Sequence, residues 1–574
     1  MTSAPLVAAL AAGLLLTAGT RAGTEAPSPA QLEAGKKVYA KYCAQCHGDK
    51  GDGQGPAAAH LLPKPRDFTS GKFKLRTTPS GALPTDDDLR RVVRRGMPYT
   101  SMPAWPKLAD SEVDEVLRYV KSFYPGFADP NQAPKPIDLS KAPAFAKASV
   151  EKGKQLYETQ GCVRCHGDAG RGEGRSAPTL RDDKGDRIRA ADLTQRWTFR
   201  GGPTREDIFR TFSTGLNGTP MPSFFDALKT EERWALTDYV YSLGDGDTPG
   251  YTSVVVAAPL EEDLDLARAE ALFRSAGVAR VPLVGQIMEP GRDFAPATTS
   301  VEVRAVYDHQ KIALQVRWHD MQADTTGQAG PALEVPAAEE EQTGGAEKPP
   351  TAGETDVWGQ ETSSGASEPS TAPTPPPSGA TDQDFWGQGG EQPTAAAPAT
   401  GEFADAVAVQ LPLELPGGVA KPYFLFGDAQ LGVDLWFLDL ASHRLRQLTG
   451  HGSGALTPLD SSDVEASGSY AAGEWTTVFA RDLRSTSGVT FSEGAYVPIA
   501  FSVWDGTARE RGNRRALSQW AYVYLQPREK PSAVVPVTTA VVLTLLVELL
   551  ALAWLRRRGR SGAAAPAASS PVRP

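Results

Sequence analysis

All four cysteines of this 574-residue chain fall in two groups of one pattern, Cys43-Ala44-Gln45-Cys46-His47 and Cys162-Val163-Arg164-Cys165-His166. No thiol is left over for a structural disulfide, which excludes a small disulfide-stapled scaffold. A lone Cys-x-x-Cys could be a redox dithiol or half of a zinc site. Two copies, each followed by Gly-Asp and each opening a unit of similar size, fit instead the covalent attachment site of a c-type haem. Two thiols at this spacing can form thioethers to the two vinyl groups, and the adjoining histidine is placed to ligate iron from one face. Two covalently bound haems c are therefore expected, held by Cys43, Cys46, His47, Cys162, Cys165 and His166.

An iron held on one side by His needs a sixth ligand for electron transfer, and Met supplies it while raising the reduction potential. The chain has six Met. Met102 (Ser-Met-Pro-Ala-Trp) and Met221 (Pro-Met-Pro-Ser-Phe) each lie 55 residues after their histidine. Met97 competes with Met102 but follows His47 by 50. The expected iron ligands are thus His47 with Met102 and His166 with Met221. Flanking prolines, in a loop just before the last helix of each unit, argue against a gap-filling core role for either methionine.

The repetition runs further. Gly35-Lys36-Lys37-Val38-Tyr39 precedes the first motif and Gly153-Lys154-Gln155-Leu156-Tyr157 the second. Each copy ends in an amphipathic helix, Asp110 to Phe123 and Thr230 to Leu243, with acidic residues in the first turn, where the helix dipole favours them. On these residues the two units resemble class I cytochrome c domains, over 31–125 and 149–245, joined by a proline-punctuated linker. The resemblance implies that the final helix packs across the first at Gly35/Tyr39 and Gly153/Tyr157, with Tyr119 and Tyr239 opposite. It also implies a proline carbonyl holding each ligating histidine: Pro178 in the second copy, and Pro56, Pro63 or Pro65 in the first.

From about Tyr251 the texture changes to alternating strand-like runs such as 301–307 and 312–318, with a turn at 308–311. An all-β sandwich over 255–322 and 403–527 is expected. Between its halves, 323–402 is rich in Pro, Gly, Ala, Ser, Thr and Glu and reads as a disordered insertion. Two Trp-Gly-Gln islands within it, at Trp358 and Trp386, read equally as docking motifs or as drift. The β half, through 301–307, 314–320, 405–412, 422–428 and 433–436, resembles the haem-binding domain of ethylbenzene dehydrogenase and related dimethylsulfoxide reductase-family gamma subunits. That family binds a b-type haem through a Met and a Lys and passes electrons to and from a molybdenum enzyme. Here Phe426 stands where the family's Met precedes Gly-Asp, and no Lys occurs from Pro422 to Glu529. His309, His319, His443 and His451 are substitute ligands or surface histidines. The sandwich is expected to have lost haem b and to serve as a docking or spacing module.

Pro5 to Ala18 reads as a signal-peptide core within 1–22, with a short uncleaved anchor as the other reading. Residues 534–555 are long and apolar enough to cross a bilayer. Arg556, Arg557, Arg558 and Arg560 follow, so the tail 556–574 is expected in the cytoplasm. The architecture expected is therefore multidomain: two all-α cytochrome c domains, an all-β sandwich and one C-terminal transmembrane helix. Such a chain would sit in a bacterial inner membrane with its bulk in the periplasm. It would relay single electrons between a respiratory complex and a partner oxidoreductase, possible molybdoenzymes included. A dihaem peroxidase or small-molecule reductase, and a cytochrome fused to a β module that binds a sugar or protein, are the alternatives. The formal charge of −10 misleads, because the insertion alone carries −13 and the rest sums to +3. Nucleic acid is excluded as a partner by export and haem, not by charge.

Overall fold

The computed structural model describes residues 27–337, 402–529 and 534–561, apart from 245, 416, 418, 419, 486 and 487. The signal segment 1–22, both Trp-Gly-Gln islands and the tail beyond 561 lie outside the described residues.

The first helical unit contains α1 (Pro29–Tyr42), α2 (Ala44–His47), α3 (Asp86–Arg95) and α4 (Asp110–Ser122); the second contains α5 (Lys147–Thr159), α6 (Val163–His166), α7 (Arg205–Thr214) and α8 (Thr230–Ser242). Their starts are chemically marked. The Ser28 hydroxyl accepts the Gln31 amide and the Gln31 side chain accepts the Ser28 amide, which satisfies two otherwise orphaned donors of α1. Thr85 and Thr204 cap α3 and α7 in the same manner by accepting the amides of Asp88 and Asp207.

Each unit is built on one close helix crossing, α1 on α4 and α5 on α8. A Cβ added to Gly35 would lie 2.2 Å from the Glu115 carbonyl oxygen, and one added to Gly153 would lie 2.0 Å from that of Ala235. Glycine inside a helix costs about 1 kcal/mol relative to alanine, so these two residues persist against local propensity because backbone must meet backbone there. The tyrosines one turn on fill the flanks of the crossing. Tyr39 packs on Tyr119 with ring centroids 5.3 Å apart and Tyr157 on Tyr239 at 5.2 Å. Both tyrosine hydroxyls then donate, at 2.7 Å, to the carbonyl just after the Cys-x-x-Cys-His motif, Gly48 and Gly167.

The β region has strands β1 (Val254–Pro259), β2 (Ala279–Pro282), β3 (Val284–Gly285), β4 (Ser300–Tyr307), β5 (Lys311–His319), β6 (Ala406–Pro412) and β7 (Val433–Asp439). It continues with β8 (Arg444–Gly450), β9 (Leu456–Pro458), β10 (Val464–Ala471), β11 (Glu474–Asp482), β12 (Tyr496–Trp504), β13 (Ala516–Leu517) and β14 (Ala521–Leu525). The hydrogen-bonded order is β10-β11-β5-β4-β1-β14-β12-β6-β7-β8-β9. Strand β12 turns the corner: Tyr496 to Ile499 pair with β14, whereas Ala500 to Trp504 pair with β6. The sheet thereby folds over its own core, bringing Trp436 of β7 to 6.3 Å from Phe479 of β11. The two layers expected of a sandwich are thus two halves of one curled sheet. It is not purely antiparallel, because β1 pairs in parallel with both β14 and β4. Nor is the region wholly β, since short helical turns occupy Leu266–Arg268, Ala269–Leu272 and Phe273–Ser275.

The expected insertion boundary needs correction. Residues 323–337 belong to the folded β region: Gln328 bridges Phe403, the Gly512 amide donates to the Gly330 carbonyl at 3.0 Å, and Arg511 donates to the Glu334 carbonyl at 3.2 Å. Composition marked this stretch as loose, but its backbone finds partners on chain that arrives much later in sequence. The remaining helix, Val534–Ser561, carries the 23-residue stretch Pro536–Arg558, of mean hydropathy 2.1. Among the described residues it is the one helix long and apolar enough to cross a membrane.

Replacing Gly35 or Gly153 by alanine should destabilise its unit by about 1–3 kcal/mol, the usual cost of overpacking. Guanidinium unfolding curves of the two variants test this, and the propensity argument alone would give the opposite sign.

Candidate functional site

The end of α1 hands the chain directly to the first motif. The Cys46 and His47 amides donate to the Cys43 carbonyl at 3.2 and 2.9 Å, and Cys165 and His166 repeat the same bonds to Cys162 at the same distances. This single turn sets both thiols of each motif on one side. Gly48 and Gly167, at φ 76° and 74°, then lead the chain away in a conformation that favours glycine. All four cysteines are unbridged and partly buried. Burial pushes the Cys43 and Cys162 thiols up to about 11, and raises Cys46 and Cys165 as well. A redox dithiol needs a depressed thiol, and burial shifts these the other way.

Each motif histidine is held by its far nitrogen. His47 Nδ1 lies 2.9 Å from the Arg66 carbonyl and His166 Nδ1 lies 2.9 Å from the Ala191 carbonyl. A carbonyl can only accept, so Nδ1 carries the proton and the Nε2 lone pair is left for a metal. Burial lowers both histidines, favouring the neutral imidazole that a metal requires. Phe68 stacks on His47 with centroids 4.5 Å apart. The donor set thus fits a covalently attached haem in both units.

The prolines proposed for the carbonyl role do not hold it. In the first unit the carbonyl belongs to Arg66, directly after Pro65. In the second, Pro178 is displaced because the loop is six residues longer there and folds into a small turn with Arg181 bridging Arg187. The equivalence is fixed by matched backbone bonds, Phe68 to Gly51 in one unit and Leu193 to Gly170 in the other.

The methionine loops match closely. The Met97 amide donates to the Met102 carbonyl at 3.1 Å, and the Leu216 amide to the Met221 carbonyl at 3.1 Å. Thr100 and Thr219 hydroxyls donate to Met97 and Leu216 carbonyls at 2.8 Å and accept the Met102 and Met221 amides at 3.2 and 3.3 Å. Met102 therefore corresponds to Met221, and Met97 to Leu216. Met221 packs into the apolar cluster of Leu193, Ile208 and Phe212, which also takes in Cys162 and Val163.

Contacts between the units carry no sequence signal. Arg76, 1% exposed, reaches from the first unit to donate to the Thr214 carbonyl and, at 3.3 Å, to that of Gly215, where the Met221 loop begins. Arg95 pairs with Asp207 at 3.4 Å and Lys72 with Asp183 at 2.9 Å. The second unit also meets the β region: Arg171 pairs with Glu474 at 3.1 Å, and its carbonyl contacts His319 Nε2.

Residues at the place of the b-type haem do not fit one held by Met and Lys. Phe426 is fully buried among Ala406, Val433, Phe437 and Trp504, with the Arg515 guanidinium 3.9 Å from its ring centre. His309 and His443 are exposed in turns, His451 Nδ1 lies 3.2 Å from the Asp428 carbonyl, and His319 is taken up by Arg171.

Residues 30–120 match the family described as cytochrome c oxidase, cbb3-type, subunit III, and residues 150–244 match the cytochrome c family. The two helical units are cytochrome c-type domains. They carry two covalent c-type haems. Residues 451–516 match the ethylbenzene dehydrogenase family. A proposed respiratory nitrate reductase haem subunit, ORF7, of Haloferax mediterranei is 32% identical over 128 residues, 22% of this chain and 45% of that one. The dimethylsulfide dehydrogenase subunit gamma of Rhodovulum sulfidophilum is 27% identical over 118 residues, 19% of this chain and 44% of that one. The chain thus spans less than half the length of these two relatives. Among solved structures, a chain of the reducing HAO-like protein complex of Kuenenia stuttgartiensis is 44% identical, with 37% of this chain and 96% of that one covered at a TM-score of 0.36.

Removing the Arg76 guanidinium by Arg76→Ala leaves buried carbonyls of the second unit without donors and should cost about 1–3 kcal/mol. Lys72→Ala, which breaks a surface pair, should cost at most about 1 kcal/mol. Denaturant midpoints of the two variants, read by far-ultraviolet circular dichroism, make the comparison.

Proposed function

We propose that this chain is a membrane-anchored dihaem cytochrome c that relays single electrons between a respiratory-chain carrier and a partner redox enzyme. The observation that carries the reading is the identical loop geometry at Met102 and Met221, set at equal sequence distance from two identically held histidines.

In this reading Cys43 with Cys46, and Cys162 with Cys165, form the thioethers. His47 and His166 would hold the iron through Nε2, and Met102 and Met221 through Sδ. The haems supply a ferric/ferrous couple, and the protein's task is to keep their surroundings unchanged between the two states. The Arg66 and Ala191 carbonyls fix the imidazoles, the paired threonines fix the methionine loops, and Arg76 fixes one unit on the other. With a histidine and a methionine holding each iron, no substrate would need to reach metal, which would separate a carrier from a peroxidase.

The stretch Pro536–Arg558 supports anchoring, and the arginines that close it support a cytoplasmic tail with the haem domains on the periplasmic face. The gamma-subunit likeness of the β half supports a molybdoenzyme-type partner, with the curled sheet as the docking or spacing module.

Pyridine haemochrome analysis should give two haems c per chain and no haem b. Met102→Ala and Met221→Ala should each convert one haem from low to high spin, abolish half of the methionine-to-iron charge-transfer band and lower that haem's midpoint potential. A wild-type protein with one high-spin haem that turns over peroxide would replace the carrier by an enzyme.

A further inference from the structure

The loop that carries Met221 is closed on itself and held from outside by the other helical unit. Helix α7 ends at Thr214, and Gly215, at φ 69°, turns the chain into the loop. The Leu216 amide then donates to the Met221 carbonyl at 3.1 Å and the Thr219 hydroxyl to the Leu216 carbonyl at 2.8 Å, so that 216–221 forms one closed turn. Its hinge is the C-terminus of α7, where the last carbonyls have no partner within the helix.

Arg76 of the first unit supplies those partners. Its Nη2 donates to the Thr214 carbonyl and its Nη1 to that of Gly215 at 3.3 Å. The guanidinium is 1% exposed and is set in place by its own unit, with Nε on the Pro79 carbonyl at 3.1 Å and Nη1 on the Lys74 carbonyl at 3.3 Å. A cation there also meets the negative end of the α7 dipole. The same stretch of the first unit reaches the tip of the loop. The Ser80 hydroxyl and the Gly81 amide donate to Asn217 Oδ1 at 3.4 and 3.3 Å. Lys72 pairs with Asp183 at 2.9 Å, and the Asp183 amide donates to the Gly218 carbonyl at 3.2 Å. Residues 72–81 thus hold the Met221 loop at its hinge directly and at its tip both directly and through Asp183.

The grip is lopsided. Among the described residues no hydrogen bond from the second unit reaches the backbone of 96–103, which carries Met102. The second unit meets that loop instead at the Tyr99 side chain, 47% exposed, through Trp197. Where Arg95, just before the loop, contacts the Gly201 carbonyl at 3.3 Å, the donor again belongs to the first unit.

We infer that Arg76 is a positioning residue for the iron ligand of the other domain: the first cytochrome domain clamps the Met221 loop, and the hold of Met221 on iron depends on how the two domains are docked. The inference rests on Met221 being that ligand, as proposed above. Groups that orient a ligand commonly account for about 10–100-fold in its hold on metal. Arg76 does this from another domain, so docking of the domains and ligation of the second haem become one coupled event.

The test is imidazole titration of the full-length, haem-loaded ferric chain in detergent, following loss of the methionine-to-iron charge-transfer band. Imidazole binds iron as the neutral base, so it reads the methionine bond rather than the charge lost with the guanidinium. Met102→Ala leaves only the Met221 contribution to the band, and Met221→Ala only that of Met102. Adding Arg76→Ala should let about tenfold less imidazole displace Met221 and leave the Met102 titration unchanged. Arg76→Lys, which keeps a donor, should restore most of the wild-type resistance. Asn217→Ala, which removes the acceptor of Ser80 and Gly81 without changing charge, serves as the second variant should Arg76→Ala fail to fold, and should shift Met221 in the same direction. An unchanged titration at Met221, or an equal shift at both haems, would overturn the inference while the carrier reading stood. A wild-type chain in which Met221 contributes no band would overturn both.

Discussion

Where α1 crosses α4, and where α5 crosses α8, backbone meets backbone with no side chain between. Everything at the haem sites is referred to that contact. The first helix of each unit runs straight into the Cys-x-x-Cys-His turn, and the last helix follows the methionine loop. The crossing therefore sets the distance between the motif histidine and the methionine loop. The tyrosine next to each glycine extends the constraint, since its hydroxyl pins the carbonyl immediately after the histidine. A change at Gly35 or Gly153 would be felt at the motif histidine and the methionine loop without touching them.

The second unit contacts both of the others, the first unit through Lys72 and Arg95 and the β region through Arg171, while His60 of the first unit also meets Phe294 of the β region. The second unit's extra six-residue turn serves both neighbours. Asp183 in that turn pairs with Lys72 of the first unit, while Arg187 at its end reaches the loop after β12. Arginines make most of the polar contacts at the junctions described, and Arg76 among them is buried. A buried guanidinium on carbonyls is directional and costly to break, so it holds the two helical units in register. For a carrier this matters, because the separation of its haems is set by how the domains sit on one another.

Much of the candidate site could be proposed from the sequence. The cysteines and histidines announce themselves because the attachment chemistry demands a fixed local spacing, and Met102 and Met221 emerged because two copies could be compared. Tyr39 and Tyr157 were visible for the same reason. The carbonyl partners of the histidines were not: Arg66 and Ala191 contribute only backbone, which no side-chain pattern reports, and Pro178 was misplaced by a loop insertion. Arg76 was equally silent, lying in a loop without periodicity and acting on residues more than a hundred positions away. In the β half, alternation located most strands but could not order them. Parallel pairing of β1 with two neighbours and the change of partner midway along β12 depend on contacts between distant segments. Composition marked the insertion as loose, yet its first residues are ordered by the 505–512 loop and the chain around Phe403.

The sequence by itself determined the cofactor chemistry, the twofold repetition and the apolar C-terminal stretch, because each is encoded in residues close together along the chain. The tertiary structure alone decided which carbonyls hold the imidazoles, how the sheet curls, and that Phe426 is buried against the Arg515 guanidinium. Those outcomes rest on segments far apart in sequence competing for the same space and the same hydrogen-bond partners, a competition settled only when the whole chain packs.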